Sequence, residues 1–394
     1  MKIETIELLL LIAAVVAMLA RRLRIPYSIG LVLAGIALAL GPFAPTIQIT
    51  KQLLFTTLLP PLIFEAAFQI RWPELKREMR VVLLLATVGV AISACATAAG
   101  MHYAVSWPWQ AAIVFGILIA ATDPVSVIAM FKDAKVHGRT RLLVEAESLL
   151  NDGTAAAAFT IALAFAAGEA TGTSAVVKTF AFVVFGSILC GALTGGAALL
   201  LSGATKDHLI EITFSTIAAF GSFLLAEHFH ASGVLATLTA GLIMGNIGHL
   251  GMSSAGRRAV VDFWEYAAFV ANSLIFLIIG LRLANESYRS VALAAPVAII
   301  IVILARALAV YPLSILFART SSRLTWWQQH TLLWGGLRGA LALGLALGIP
   351  EAMPKRQEII AVAFAVVAFS IIVQGLTIRP LLRRAEPSTP RAGS

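Results

Sequence analysis

The sequence predicts an all-α polytopic membrane protein of about thirteen transmembrane helices, built as an inverted repeat of six-helix halves with broken crossing helices. Three observations carry this. The 394 residues are 59% hydrophobic and only 12% charged, where a soluble domain runs near 45–50% and about 25%. Apolar runs of roughly 18 residues or more, each long enough to cross a bilayer, recur along the whole length. Lys and Arg also cluster in alternate loops. With the C-terminus cytoplasmic, 20 of the 29 fall on the inner side, in the groups Arg21–Arg24, Arg71–Arg80, Lys132–Arg141, Lys206, Arg257–Arg258, Arg319–Arg323 and Arg379–Arg391. That bias gives an odd number of spans, an outside N-terminus and a cytoplasmic C-terminus. The net charge of +9 is then a topology signal and calls for no nucleic acid.

Hydropathy and turn signals place the helices at 3–20, 27–42, 51–69, 79–104, 107–130, 141–167, 175–201, 208–229, 232–247, 258–281, 291–318, 326–349 and 357–382. The first could pass for a secretory leader. Glu4 beside Lys2 and the lack of a small-residue cleavage site before Arg21 make it a retained helix. The third contains Leu59-Pro60-Pro61-Leu62-Ile63-Phe64-Glu65, whose carboxylate faces either a funnel or a bundle contact. Cys95 in the fourth and Cys190 in the seventh read as small packing residues, not as a disulfide or a metal site.

The fifth span holds Ala121-Thr122-Asp123-Pro124. Proline removes a backbone donor and clashes with the preceding turn, so this crossing is unwound or kinked. In the eighth, His228 and His230 lack a carboxylate at metal spacing. Gly241, Gly245 and Gly248 around the ninth suit close helix packing. Arg306 in the eleventh reads as structural. The twelfth holds Trp334-Gly335-Gly336-Leu337-Arg338-Gly339, three glycines around an arginine, which also weakens a helix. Residues 1–385 thus form one transmembrane domain, and the Pro/Ser-containing residues 386–394 a short disordered cytoplasmic tail.

The two interruptions lie seven spans apart. Split as six, a linker helix and six, the chain has halves of opposite orientation, and each interruption falls in the fifth span of its half. Paired broken helices in inverted halves point to a secondary transporter with a midplane site.

The sixth span supplies the polar groups for that site. A carboxylate at membrane depth costs roughly 2.5–3.5 kcal/mol on insertion scales. At 100° per residue, Glu147, Ser148, Asn151 and Asp152 fall in one wedge about 140° wide, which cannot face lipid. Asp152 is assigned as the carboxylate that binds a proton or a small cation, with Ser148 and Thr122 as neutral oxygen ligands for a hard cation. Asn151 cannot ionise; its amide either orients the neighbours of Asp152 or bridges to Thr122 in the broken crossing. Asp123, beside Pro124, either compensates the dipole of a half-helix or caps one. Two unpaired carboxylates one turn apart would repel, so Glu147 is given to Arg338 as a structural ion pair, leaving Asp152 free.

No H-E-x-x-H, Walker A or G-x-S-x-G motif is present. The chain is therefore read as no enzyme, with no cofactor and no ATP-driven step. A passive cation channel is the alternative of another class, disfavoured by a single acidic ligand and no filter-like repeat.

Glu147-Ser148-Leu149-Leu150-Asn151-Asp152-Gly153 resembles the Asn-Asp signature of NhaP-type sodium/proton antiporters and animal sodium/proton exchangers. So do Thr122-Asp123-Pro124-Val125, the Leu59–Glu65 stretch, Phe263-Trp264-Glu265-Tyr266 with Asn272-Ser273-Leu274, the Trp334–Gly339 stretch and Val373-Gln374-Gly375-Leu376-Thr377. The resemblance covers nearly the whole chain. It implies a thirteen-helix inverted-repeat fold with interleaved core and dimerisation subdomains, a homodimer, and elevator-like alternating access in a prokaryotic plasma membrane. It carries over Asp152 as the shared ion and proton site, Ser148 and Thr122 as ligands, Asn151 as organiser and Glu147 paired with Arg338. The electroneutral branch has Asn before Asp, and Asn151 therefore implies one proton per Na⁺ or Li⁺. Potassium in place of sodium is the rival cation, because site size rather than residue identity sets that choice.

Overall fold

At membrane depth there is no water to satisfy backbone N–H and C=O groups, so each segment must pair them internally. The computed structural model describes residues 3–23, 26–41, 52–123, 127, 131, 138–166, 168, 172–285, 291–378 and 380–382, and nearly all of these lie in helices. In chain order they are α1 (Ile3–Leu23), α2 (Tyr27–Leu40), α3 (Leu53–Gln69), α4 (Trp72–Val105), α5 (Trp109–Leu118), α6 (Arg139–Ala166) and α7 (Thr173–Ser202). Then come α8 (His208–His228), α9 (Gly233–Ile247), α10 (Ser254–Asn285), α11 (Ala294–Ile315), α12 (Trp326–Trp334), α13 (Ala340–Leu347) and α14 (Arg356–Thr377). Seven of the described helices are both long and apolar enough to cross a membrane: α4, α6, α7, α8, α10, α11 and α14.

Local chemistry explains the ends. Asp207 accepts from the Leu209 N–H to start α8, Ser232 from Leu235 to start α9, and Thr325 with Gln328 forms a reciprocal capping box for α12. α4 begins seven residues before the expected boundary. Pro73 and Glu74 in its first turn favour a helix start there, so Lys76, Arg77 and Arg80 ride on the helix instead of lying in a loop.

The helices pack in two connected groups. α7, α8 and α9 lie against one another, α9 also against α3, and α10 against α2 and α3. The second half of α4 packs on α5 and α11, α5 on α6, and α14 on α11 and α13. Three basic stretches share one end of the bundle. There Arg139, at the start of α6, donates to both carboxylate oxygens of Glu78 in α4 at 2.7 and 2.8 Å and to the carbonyls of Ser322 and Arg323 just before α12. Both expected interruptions are present. α5 stops at Leu118, and α12 and α13 are separated by Gly335–Gly339. Pro124 and the tail lie outside the described residues.

Candidate functional site

The two broken segments meet. The Asp123 N–H donates to the Leu337 carbonyl at 2.6 Å. A helix end leaves carbonyls without partners and a partial negative charge, and at each break an arginine answers it. Arg338 donates to the carbonyls of Ala120 and Ala121, just past α5, at 2.6 and 3.1 Å. Arg306 donates to the Leu332 carbonyl in the last turn of α12 at 3.1 Å. The Arg338 backbone is itself held by the Ser370 hydroxyl at 2.8 Å. Ser370 opens a π-helical stretch, Ser370–Gln374, inside α14, the kind of local widening that often turns a side chain toward a site. Asp123 packs against Gly339, the residue just before α13, so its carboxylate lies at that helix's positive end. A Cβ at Gly339 would fall 2.4 Å from the Asp123 Cβ; only glycine allows this approach.

α6 presents its polar wedge to this crossing. Asp152 is buried and lines a cavity of about 20 Å³ with Thr122, Asp123, Leu59, Leu62 and Ala340. That is room for about one water or one bare ion. The Oδ1 of Asp152 has no hydrogen-bond partner among the described residues. A buried carboxylate oxygen in that state is costly unless a proton or cation meets it. Thr122 Oγ1 lies 2.8 Å from Ser148 Oγ, so Ser148 reaches the cavity wall through Thr122. Asn151 accepts from the Thr122 N–H at 3.1 Å and donates to Thr122 Oγ1 at 2.6 Å and to Glu147 Oε1 at 3.0 Å. These three contacts leave its amide one orientation, and tie α6 to the break after α5.

Glu147 is neutralised from the other side. Arg306 grips both its oxygens, at 2.9 and 2.8 Å, with both side chains buried. One carboxylate of the wedge is therefore compensated and hydrogen-bonded, while the other opens on the cavity.

The chain is similar to known proteins over nearly its whole length. The family described as sodium/hydrogen exchanger, transmembrane, matches residues 9–384. The chain belongs to the sodium/hydrogen exchanger family. The Na(+)/H(+) antiporter ApNhaP of Aphanothece halophytica is 36% identical over 365 residues, covering 92% of this chain and 70% of the relative. The Na(+)/H(+) antiporter NhaH of Halobacillus dabanensis is 34% identical over 394 residues, covering 96% of each. In fold, the sodium proton antiporter MjNhaP1 from Methanocaldococcus jannaschii superposes with a TM-score of 0.77 over 97% of this chain and 98% of that one, at 21% identity. An exchanger-family chain of this kind is an integral membrane transporter, not an enzyme.

One expected contact of this exchanger-family site is corrected. The partner of Glu147 is Arg306, not Arg338. Arg338 is drawn away by the carbonyls at the end of α5, which need a cationic donor, while α11 sets Arg306 opposite the Glu147 face of α6. Both arginines thus act at helix ends, a role the sequence reading missed. Its only trace was a lone cation in each of two apolar spans. Ser370 was missed as well, since a single serine near the middle of an apolar helix carries no local signal. Glu65 sits one turn beyond Leu62 on α3 and accepts from Gln69, which also reaches Glu265 of α10 at 3.5 Å. It belongs to a contact between helices beside the cavity.

Proposed function

We propose that the protein exchanges Na⁺ (or Li⁺) for H⁺, one for one, with both ions competing for Asp152. The observation that carries this reading is the buried Asp152 oxygen left without a partner beside a cavity of about 20 Å³, while Glu147 is neutralised by Arg306. The relatives named Na⁺/H⁺ antiporters support the choice of ions. In the cation-loaded state Asp152 is ionised, and Thr122, backed by Ser148, contributes neutral oxygen. In the proton-loaded state the Asp152 carboxyl carries the hydrogen and the cation is gone. Asn151 keeps the break shaped for this, and Asp123 offsets the dipole of α13. The site is neutral with either passenger, but empty it would carry an uncompensated carboxylate through the barrier, which is costly. Exchange then needs no separate gate that senses both ions.

The same proposal includes an outside N-terminus, a cytoplasmic C-terminus, a homodimer and interleaved core and dimerisation subdomains. The test uses purified protein in liposomes with an internal pH dye. Outward Na⁺ or Li⁺ gradients are expected to drive saturable proton flux in the wild type, and Asp152→Asn to abolish it while keeping a wild-type melting temperature. Robust Na⁺-driven flux from Asp152→Asn would overturn the single-site reading. Flux driven by K⁺ but not Na⁺ would reassign the cation.

A further inference from the structure

A second and much larger cavity lies away from the ion site. It occupies about 530 Å³ between α4 and α6 on one side and α7 and α9 on the other. At one end the walls are clipped together: Asn246 of α9 accepts from the Trp72 N–H at 2.6 Å and donates to the Ile70 carbonyl at 2.8 Å. Beyond the clip the helices part. Leu83, Ile188 and Ile247 on the walls are each more than 40% exposed, so the cleft opens sideways, where the bilayer lies.

The chemistry of its walls excludes most occupants. Twelve of the sixteen lining residues are aliphatic or aromatic. Three threonines line it, and each spends its hydroxyl on its own helix: Thr87 on Leu83, Thr154 on Leu150, Thr239 on Leu235. Asn246 is occupied by its clip. Water held in such a cavity needs two to four polar partners, and the threonine oxygens, their hydrogens already donated, can only accept. A space this large cannot stay empty either, because its lining would forfeit its dispersion contacts. What fits is hydrocarbon entering from the side.

The α4 wall adds a charge at one end. At 100° per residue Trp72, Lys76, Arg80 and Leu83 fall within about 80° of one another. The exposed Lys76 and Arg80 thus stand on the same helix face as the apolar wall, between Trp72 and Leu83. From Lys76 to Thr87 is about 16 Å along the axis, close to the roughly 15 Å depth of one leaflet. Basic side chains at that level attract anionic headgroups, and their aliphatic stems lie along apolar surface.

We infer that this cleft is a binding site for one acyl chain of a phospholipid whose anionic headgroup is held by Lys76 and Arg80. A chain seated there lies alongside α6, which carries Asp152, where α6, α7 and α9 also touch one another directly. The inference does not depend on which cation is exchanged.

The experiment reconstitutes the full chain in vesicles of phosphatidylcholine and phosphatidylglycerol. A trace of either lipid carries a diazirine at mid-chain, and adducts are mapped by mass spectrometry after illumination. Adducts are expected on Leu83, Ile188 and Ile243, several-fold stronger with the phosphatidylglycerol probe. K76Q/R80Q, both surface changes, should remove that preference and leave chain labelling by phosphatidylcholine. Leu83→Trp, and separately Val184→Phe, should fill the cleft and suppress labelling by both probes in protein that elutes as wild type. Equal labelling of the outward-facing Leu193 and Leu200 with no headgroup preference would overturn the site. So would disulfide formation between copies through a cysteine placed at Ile188, which would mean that a second copy covers the cleft.

Discussion

Asp152 and Glu147 are chemically near-identical, sit five residues apart on one helix and are both buried. Their difference lies in what faces them. Glu147 receives two charge-assisted bonds from Arg306 and one bond from Asn151; Asp152 keeps an oxygen toward the cavity. Replacing Glu147 by Ala strands a buried guanidinium, and a buried pair broken on one side costs roughly 3–5 kcal/mol. Glu147→Ala and Arg306→Ala should each lower the melting temperature sharply, and the double change should cost clearly less than the sum. Glu147→Ala with Arg338→Ala should be close to additive. A double-mutant cycle by thermal denaturation in detergent checks this, and coupling found only with Arg338 would contradict the pairing. Asn151 has all its contacts set by Thr122 and Glu147. Asn151→Ala should weaken cation affinity at least several-fold while folding survives, read from the half-saturating Na⁺ concentration in the flux assay.

At the scale of elements, the decisive feature is the meeting of two helix breaks. Each break exposes carbonyls, and each is met by an arginine from elsewhere in the fold, Arg338 at the end of α5 and Arg306 at the end of α12. Gly339 lets Asp123 approach the start of α13. Gly339→Ala would place its methyl 2.4 Å from the Asp123 Cβ, and forced overpacking costs roughly 1–3 kcal/mol. Transport should fall more than stability, because the displaced group lines the cavity. The check is Na⁺-driven flux beside the melting temperature of the same preparation; wild-type values of both would show that the contact is not needed.

For the molecule as a whole, the proposed cycle changes the load of one carboxylate. Exchange should then follow the Na⁺ and H⁺ gradients and ignore voltage. Clamping vesicle potential with valinomycin and K⁺, after checking that K⁺ is not carried, should leave the rate and reversal point unchanged. A shift with potential would mean a second titrating group, with Asp123 the first to examine. The sign of the pH dependence follows from competition. Below the pKa of Asp152 each added proton removes a cation site, so apparent Na⁺ affinity should drop by about tenfold per pH unit. Above it, affinity should level off. Half-saturation measured across pH tests both limbs.

Much of this was legible in the linear chain because membranes impose rules that act locally. Apolar length sets where helices run, proline and clustered glycines mark where they break, and a 3.6-residue period places Glu147, Ser148, Asn151 and Asp152 on one side of α6. The Asn-Asp motif named the family for the same reason: its residues are contiguous. The partner of Glu147 was not legible. Two arginines were available, on α11 and just before α13, and nothing in their own neighbourhoods distinguished them. Packing settled it, since the carbonyls past α5 claimed Arg338 and the position of α11 brought Arg306 to Glu147. The role of Ser370 and the apolar cleft behind α6 were hidden likewise. Both arise from surfaces of helices far apart in sequence, and no local pattern records which surfaces meet.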